Sequence, residues 1–252
     1  MTEINKKTIN GKTVLITGAS RGIGKSLAEI FAKEGYHLVM LCHNSLDRMW
    51  EDAGKLSREY NVNVSCYATD VSDSAEVARL FRDLDSHHVT IDILINNAGI
   101  SYVGLLQDMT DEDWDEVIRT NLSGAFYTTR AVLPSMIARK EGRILNISSV
   151  WGNVGASTEV AYSASKGGLN AFTRALAKEV APSGISVNAI ACGYIDTAMN
   201  SHLSYEEKES LFNEIPSGRP GTPDEVAEFV YQIAASSKYL TGQVIRFDGG
   251  WI

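Results

Sequence analysis

Short apolar, β-branched runs recur along the chain, and between them apolar positions return every three or four residues. The runs at 12–17, 37–42, 62–67, 91–96, 143–148, 185–191 and 244–247 read as strands. Ile23, Leu27, Ile30 and Phe31 fall at helical spacing until Gly35 stops them, and residues 47–60, 74–84, 159–180, 204–213 and 223–235 carry the same helical pattern. Residues 111–139 read as one long or broken helix, because Pro134 lies inside it. Strands separated by helices of this length pair in parallel through right-handed crossovers, so both faces of the sheet are covered. The pattern therefore predicts an α/β chain: a single-domain Rossmann fold over 1–252, with a doubly wound parallel sheet of about seven strands and helices on both faces. Residues 193–204 form the one long irregular stretch, and a loop of that kind in a compact domain is usually functional. It opens an expected substrate loop at about 193–217.

Composition narrows the classes. A chain of 252 residues with 44% hydrophobic content can bury a full core. Cys42, Cys66 and Cys192 stand far apart in apolar runs and form no CxxC pair, which reads as core filling in a reducing compartment. The five histidines form no metal-ligand spacing, so no metal is expected. The first residues, MTEINKKTINGK, lack the apolar core of a signal peptide, and no apolar run is long enough to span a bilayer. A cytoplasmic protein without a membrane is expected. A formal charge of −8 speaks against general nucleic-acid affinity, which rests on many cations neutralising phosphates.

The turn from the first strand into the first helix reads TGASRGIG. Gly18, Ser20, Arg21, Gly22, Ile23 and Gly24 can there bring backbone N–H groups to a pyrophosphate at the helix N-terminus. Taken alone, such a loop can also be a plain tight turn. The second strand ends Leu41-Cys42-His43-Asn44, without the carboxylate that grips the ribose diol of NAD. Arg21, with His43 or Arg48, can instead meet a 2′-phosphate, so NADP (NADPH) is expected rather than NAD. Arg21 could also be a solvated loop cation, and Asp47 a displaced ribose acid. Asp70-Val71 and Asn97-Ala98-Gly99 follow strands three and four at the carboxyl edge, where ligands bind in such sheets. Asp70 suits either an adenine contact or a cap of the next helix.

Reducing a carbonyl by hydride leaves an alkoxide, so a proton donor and a stabilising dipole are needed beside the oxygen. Tyr162 and Lys166 stand one helical turn apart on one face. Two unit charges ~4 Å apart at an effective dielectric of ~20 interact by ~4 kcal/mol, enough to move a phenol toward neutral pH. By itself YxxxK is also an ordinary exposed helix pair. Ser149, at the end of strand five, can bond the same substrate oxygen, and Asn121 is an unfavourable residue for a helix interior unless its side chain has work there.

Together these residues resemble the short-chain dehydrogenase/reductase family over nearly the whole chain, through TGASRGIG, DV (Asp70-Val71), NNAG (Asn96 to Gly99), Asn121, ISS (Ile147 to Ser149) and YSASK (Tyr162 to Lys166). The resemblance implies a nicotinamide-dependent oxidoreductase. Tyr162 would be acid/base and Ser149 would orient the carbonyl. Lys166 would bind the nicotinamide ribose and lower the tyrosine pKa, and Asn121 would hold a water in the proton relay. Gly193, Ile195 and Thr197 would contact the nicotinamide end. Cys192-Gly193 departs from the family's Pro-Gly step.

Within the family the chain is similar to bacterial 3-oxoacyl-acyl-carrier-protein reductases, including Tyr239 to Gln243 and Gly249-Gly250. That similarity implies an NADPH-dependent homotetramer of fatty acid biosynthesis acting on a 3-oxoacyl thioester, the leading expectation for function. Of the two basic positions that would dock acyl carrier protein, Lys140 keeps one and Ser183 replaces the other. A second similarity, through Ser149 to Gly152, Gly155 to Ser157 and Glu159-Val160, is to reductases of a 5-aminopentanone group on elongation factor P. Glu159 could pair with a substrate amine or simply favour a helix N-terminus. Trp151, Val154 and Tyr194 are candidate pocket walls, although aromatics near strand ends are more often plain core. A silent nucleotide-binding scaffold is the reading from another class, and the presence of Ser149, Tyr162, Lys166 and Asn121 argues against it.

Overall fold

The computed structural model describes residues 11–200 and 204–252; the amino-terminal stretch 1–10 and residues 201–203 of the expected substrate loop lie outside the described residues. In chain order the elements are β1 (Thr13–Ile16), α1 (Gly22–Lys33), β2 (His37–Cys42), α2 (Leu46–Tyr60), β3 (Val64–Ala68), α3 (Ser74–Ser86), β4 (Ile93–Asn96) and α4 (Asp111–Ile118). They continue with α5 (Gly124–Arg139), β5 (Gly142–Ser149), α6 (Trp151–Val154), α7 (Val160–Val180), β6 (Ile185–Cys192), α8 (Tyr205–Glu214), α9 (Pro223–Ala235) and β7 (Val244–Phe247).

The seven strands form one sheet in the order β3-β2-β1-β4-β5-β6-β7, and every pairing is parallel. Strand alternation divides the core into two layers. Val14, Ile16, Leu38, Met40, Ile93, Ile95, Leu145 and Ile147 face the layer made with α1, α2 and α9, through residues such as Leu27, Phe31, Met49 and Val230. Leu15, Val39, Leu41, Leu94, Ile144 and Val187 face the opposite layer, with Leu84, Met136 and Leu176 from α3, α5 and α7. Because both faces are covered, the strands read as continuous apolar runs. The order reverses between β1 and β4, and the carboxyl ends of the strands there flank the crevice where such sheets bind ligands.

Some boundaries shift: β3 begins at Val64 rather than 62, β4 at Ile93 rather than 91, and α7 at Val160 with Glu159 as its N-cap residue. Of the two readings of 111–139 the broken helix is the one observed, as a π-helical turn at Arg119–Ser123 separates α4 from α5, and Pro134 sits inside α5 without ending it. A short α6 directly after β5, unseen in the periodicity, carries Trp151. No described helix is long and apolar enough to cross a membrane.

Candidate active site

An open cleft of about 910 Å³ runs along the carboxyl edge of the sheet. Most residues singled out from the sequence line it; Gly24, Asn121, Asp47, Arg48 and Val154 do not, because Asp47 and Arg48 lie in the first turn of α2 and Val154 is an exposed residue of α6. The cofactor end is made by the loop from β1 to α1. The first turn of α1 has no acidic residue and its N-cap residue, Arg21, makes no side-chain cap bond, whereas α3, α4, α8 and α9 are all capped by side chains. The α1 N–H groups are thus left for an anion. Thr17 Oγ1 accepts from Asn97 N and Ala98 N at 2.9 Å each, and Asn97 Nδ2 donates to Thr17 O at 3.0 Å and Gly18 O at 3.1 Å. These bonds lock the glycine loop to the loop after β4. Gly24 is a correction: a Cβ there would run into Gly18 O and come within 2.7 Å of Asn97 Nδ2, so its part is close packing of α1 on the loop and not contact with a ligand.

At the adenosine end the cleft is lined by Arg21, His43 and Asp70, together with Asn44 and Ser45, which the motif reading missed although they directly follow β2. Asp70 Oδ1 accepts from Ser72 N at 2.8 Å, closing a turn, while Asp73 caps α3. The expected helix cap is therefore one turn too early. Asp70 Oδ2 lies 3.9 Å from His43 Nε2, so the carboxylate competes for the ring offered to a 2′-phosphate and leaves Arg21 as the stronger phosphate partner. With uncapped helix donors, a glycine loop and a cation at one end, the residues present fit a phosphate-bearing dinucleotide.

Ser149, Tyr162 and Lys166 converge at the middle of the cleft. Ser149 ends β5 beside Cys192 of β6, its Oγ accepts from Trp151 N at 3.2 Å, and its hydroxyl stands near enough to the Tyr162 hydroxyl to oppose the rise in the phenol's pKa. Lys166 is 4% exposed; its ammonium donates to Ile147 O at 2.8 Å and lies 5.6 Å from the centre of the Tyr162 ring. Burial pulls the lysine down to about 8 and pushes the Tyr162 phenol up, a rise that the Ser149 hydroxyl opposes and the Glu159 charge reinforces. The expectation that Lys166 draws the phenol toward neutral pH is thus corrected for the protein by itself. Desolvation disfavours the charged form of both groups, and the lysine sits over the ring with its proton directed to the Ile147 carbonyl.

Asn121 is 2% exposed in the π turn. Its Oδ1 accepts from Ile100 N at 2.8 Å, and its Nδ2 donates to Ile100 O at 2.8 Å and to Ser165 Oγ at 3.0 Å. Both N–H groups are spent on these contacts, which explains an asparagine in a helical region and makes it a positioning residue for the loop after β4. Ser165 Oγ in turn donates to Tyr162 O at 2.7 Å.

The substrate end combines Ser101, Trp151, Glu159, Tyr194 and Trp251, while Glu116 lines the cleft on the helical stripe that continues through Thr120 to Gly124, which lies against Val71. Ser101 Oγ donates to Glu159 Oε2 at 2.7 Å, and the Trp151 and Trp251 rings meet edge to face at 4.8 Å. Trp151 is therefore cleft wall and not plain core. Tyr194 is 8% exposed, packs against Phe212 of α8, and its hydroxyl has no partner in the structure. Cys192 is buried beside Lys166, and burial holds its thiol up at about 12, so it is a neutral apolar neighbour of the catalytic groups. Ser101, Glu116 and Trp251 were not found from sequence, because no local motif carries them.

A Rossmann sheet with a dinucleotide crevice and a Ser-Tyr-Lys constellation defines a nicotinamide-type oxidoreductase. The short chain dehydrogenase family model matches residues 12–208, and the chain belongs to that family. It is 40% identical over 247 residues to the 3-oxoacyl-[acyl-carrier-protein] reductase FabG of Thermotoga maritima, covering 97% of this chain and 99% of that protein. It is 39% identical over 241 residues to the uncharacterized oxidoreductase YmfI of Bacillus subtilis, covering 95% and 98%. A crystal structure of a protein described as a gluconate dehydrogenase from Agrobacterium tumefaciens superposes with a TM-score of 0.92 at 34% identity over 96% of each chain.

Proposed function

We propose that the protein reduces a ketone to a secondary alcohol with NADPH, and that the ketone carries an amine, as in the 5-aminopentanone group on elongation factor P. The observation that carries the substrate reading is the charge of the cleft. Its cations are Arg21 at the cofactor end and Lys166 at the centre, whereas the substrate end holds the Glu159 carboxylate, bonded to the neutral Ser101 hydroxyl. An ammonium group gains from that carboxylate, and a neutral acyl chain does not.

Bound NADPH would supply the hydride, held by the α1 N-terminus, Arg21 and the Asn97 to Gly99 backbone. Ser149 and Tyr162 donate hydrogen bonds to the carbonyl oxygen, and Tyr162 passes its proton to the oxygen as negative charge develops there. Burial, by keeping the phenol protonated, suits the reducing direction. Lys166 holds positive charge beside the tyrosine.

A 3-oxoacyl thioester is the second reading, favoured by the printed activity of the Thermotoga maritima relative. Lys140, the remaining basic docking position, directly precedes β5, and Ser183 precedes β6, so both stand at the amino edge of the sheet, away from the cleft. NADPH consumption with 5-aminopentanone and with an acetoacetyl thioester, by wild type and Tyr162→Phe, tests both. Faster turnover of the aminoketone supports the first reading, faster turnover of the thioester the second, and no turnover of either favours a silent scaffold.

A further inference from the structure

The carboxyl-terminal segment after β7 is built into the cleft. Gly249 and Gly250 both adopt positive φ, 67° and 86°, which turns the chain back on itself. Asp248 holds the turn: its Oδ1 accepts from Gly250 N at 3.0 Å, its Oδ2 from Ile252 N at 3.2 Å, and its main-chain O from Trp251 N at 3.3 Å. Gly249 O accepts from Ser217 N at 3.1 Å, which ties the tail to the end of the expected substrate loop. On the other side Gly193 N donates to Phe247 O at 2.9 Å, and a Cβ on Gly193 would come within 2.7 Å of Asp248 Cα. The tail thus rests directly on the step that follows Cys192. The result is that the penultimate residue, Trp251, lines the cleft and meets Trp151, which follows Ser149 by two positions.

We infer that Trp251 is a specificity-determining residue, which with Trp151 forms an aromatic clamp on the hydrocarbon part of the substrate next to the reacting carbonyl. The inference rests on the ketone-reductase reading. Two features distinguish the clamp from surface packing. Trp151 is set by the catalytic strand, since its backbone N–H bonds Ser149 Oγ, so the indole pair stands at a fixed distance from the oxygen that Ser149 binds. Trp251 is delivered by a separately braced turn, so its removal leaves Ser149, Tyr162 and Lys166 in place. An edge-to-face indole pair offers flat apolar surface to a methylene chain, and the nearby Glu159 carboxylate takes the polar end.

The test is steady-state kinetics of Trp251→Ala and Trp251→Phe with NADPH and both the acetoacetyl thioester and 5-aminopentanone, together with NADPH binding by calorimetry. The expected result is a KM for the preferred ketone raised about tenfold by alanine and largely restored by phenylalanine, with kcat and NADPH affinity changed less than about threefold. A ketone KM unchanged in Trp251→Ala overturns the clamp while leaving the reductase reading intact. Equal loss of NADPH affinity and ketone turnover also overturns it, since that would make the tail a general brace. A wild type that reduces no ketone, yet binds NADPH, overturns the reductase reading and the clamp with it.

Discussion

Ser101 Oγ donates to Glu159 Oε2 at 2.7 Å, joining the loop after β4 to the N-cap residue of the catalytic helix. A second bond, from Gly104 N to Thr158 O at 2.8 Å, reinforces the junction. Glu159 therefore presents a fixed carboxylate three residues before Tyr162, bonded to a neutral hydroxyl. Glu159→Gln keeps the shape and the Ser101 contact. It is expected to lower kcat/KM for 5-aminopentanone by about tenfold and for a neutral ketone by less than about twofold. Equal losses on the two substrates would assign Glu159 to the loop junction alone.

Tyr162→Phe removes the proton donor without disturbing the ring. Reduction is expected to slow by about 10² to 10⁴ in kcat, with NADPH binding intact. Ser149→Ala should cost about 10² through loss of one donor to the developing alkoxide. Single-turnover oxidation of bound NADPH separates this from a binding defect, and a Tyr162→Phe enzyme with near-normal kcat would place the proton donor elsewhere.

Burial holds Lys166 down at about 8 while Tyr162 is held up, so the lysine is the first of the two to lose its proton as pH rises. kcat/KM for reduction should fall through about pH 8, and Lys166→Arg should move that limb upward. Stability responds in the opposite sense. Between about 8 and the ordinary lysine value the unfolded chain retains a proton that the folded site has released, so stability contributed by this group rises with pH across that window. Thermal melts of wild type and Lys166→Met across the same range measure it: the gap in Tm, with the variant higher at neutral pH, should narrow as pH rises.

Arg21 stands at the cofactor end with no carboxylate partner at the end of β2, where His43 and Asn44 line the cleft. Arg21→Ala is expected to weaken NADPH binding by about tenfold, a loss of about 1.4 kcal/mol, and to leave NADH within about twofold. Asn44→Asp should tilt preference toward NADH by supplying the missing ribose acceptor. Calorimetric titration with each nucleotide decides; an unchanged NADPH to NADH ratio in Arg21→Ala would remove the arginine from cofactor selection.

Much of this was readable along the chain. Each buried strand is a run of apolar residues because both its faces are covered, so β1, β2, β5, β6 and β7 fall where the periodicity puts them to within a residue or two. Most of the motif residues sit at strand ends or helix starts, and the parallel order carries them all to one edge. What failed was local. The π turn around Asn121 depends on Ile100 and Ser165, which are distant in sequence, and Gly24 looks like a ligand contact until the packing of α1 against Gly18 is seen.

The chain by itself determined the doubly wound sheet, the glycine loop at the start of α1, and a tyrosine and lysine on one helical face, because each follows from spacing and residue type within a short window. Only the tertiary structure decided that Trp251 and Trp151 meet across a hundred residues, that Glu159 is bonded to Ser101 at the cleft, and that Tyr162 is held protonated beside a lysine with a lowered pKa. Those outcomes depend on which surfaces are removed from water and on what packs against them, and neither is encoded in the local pattern.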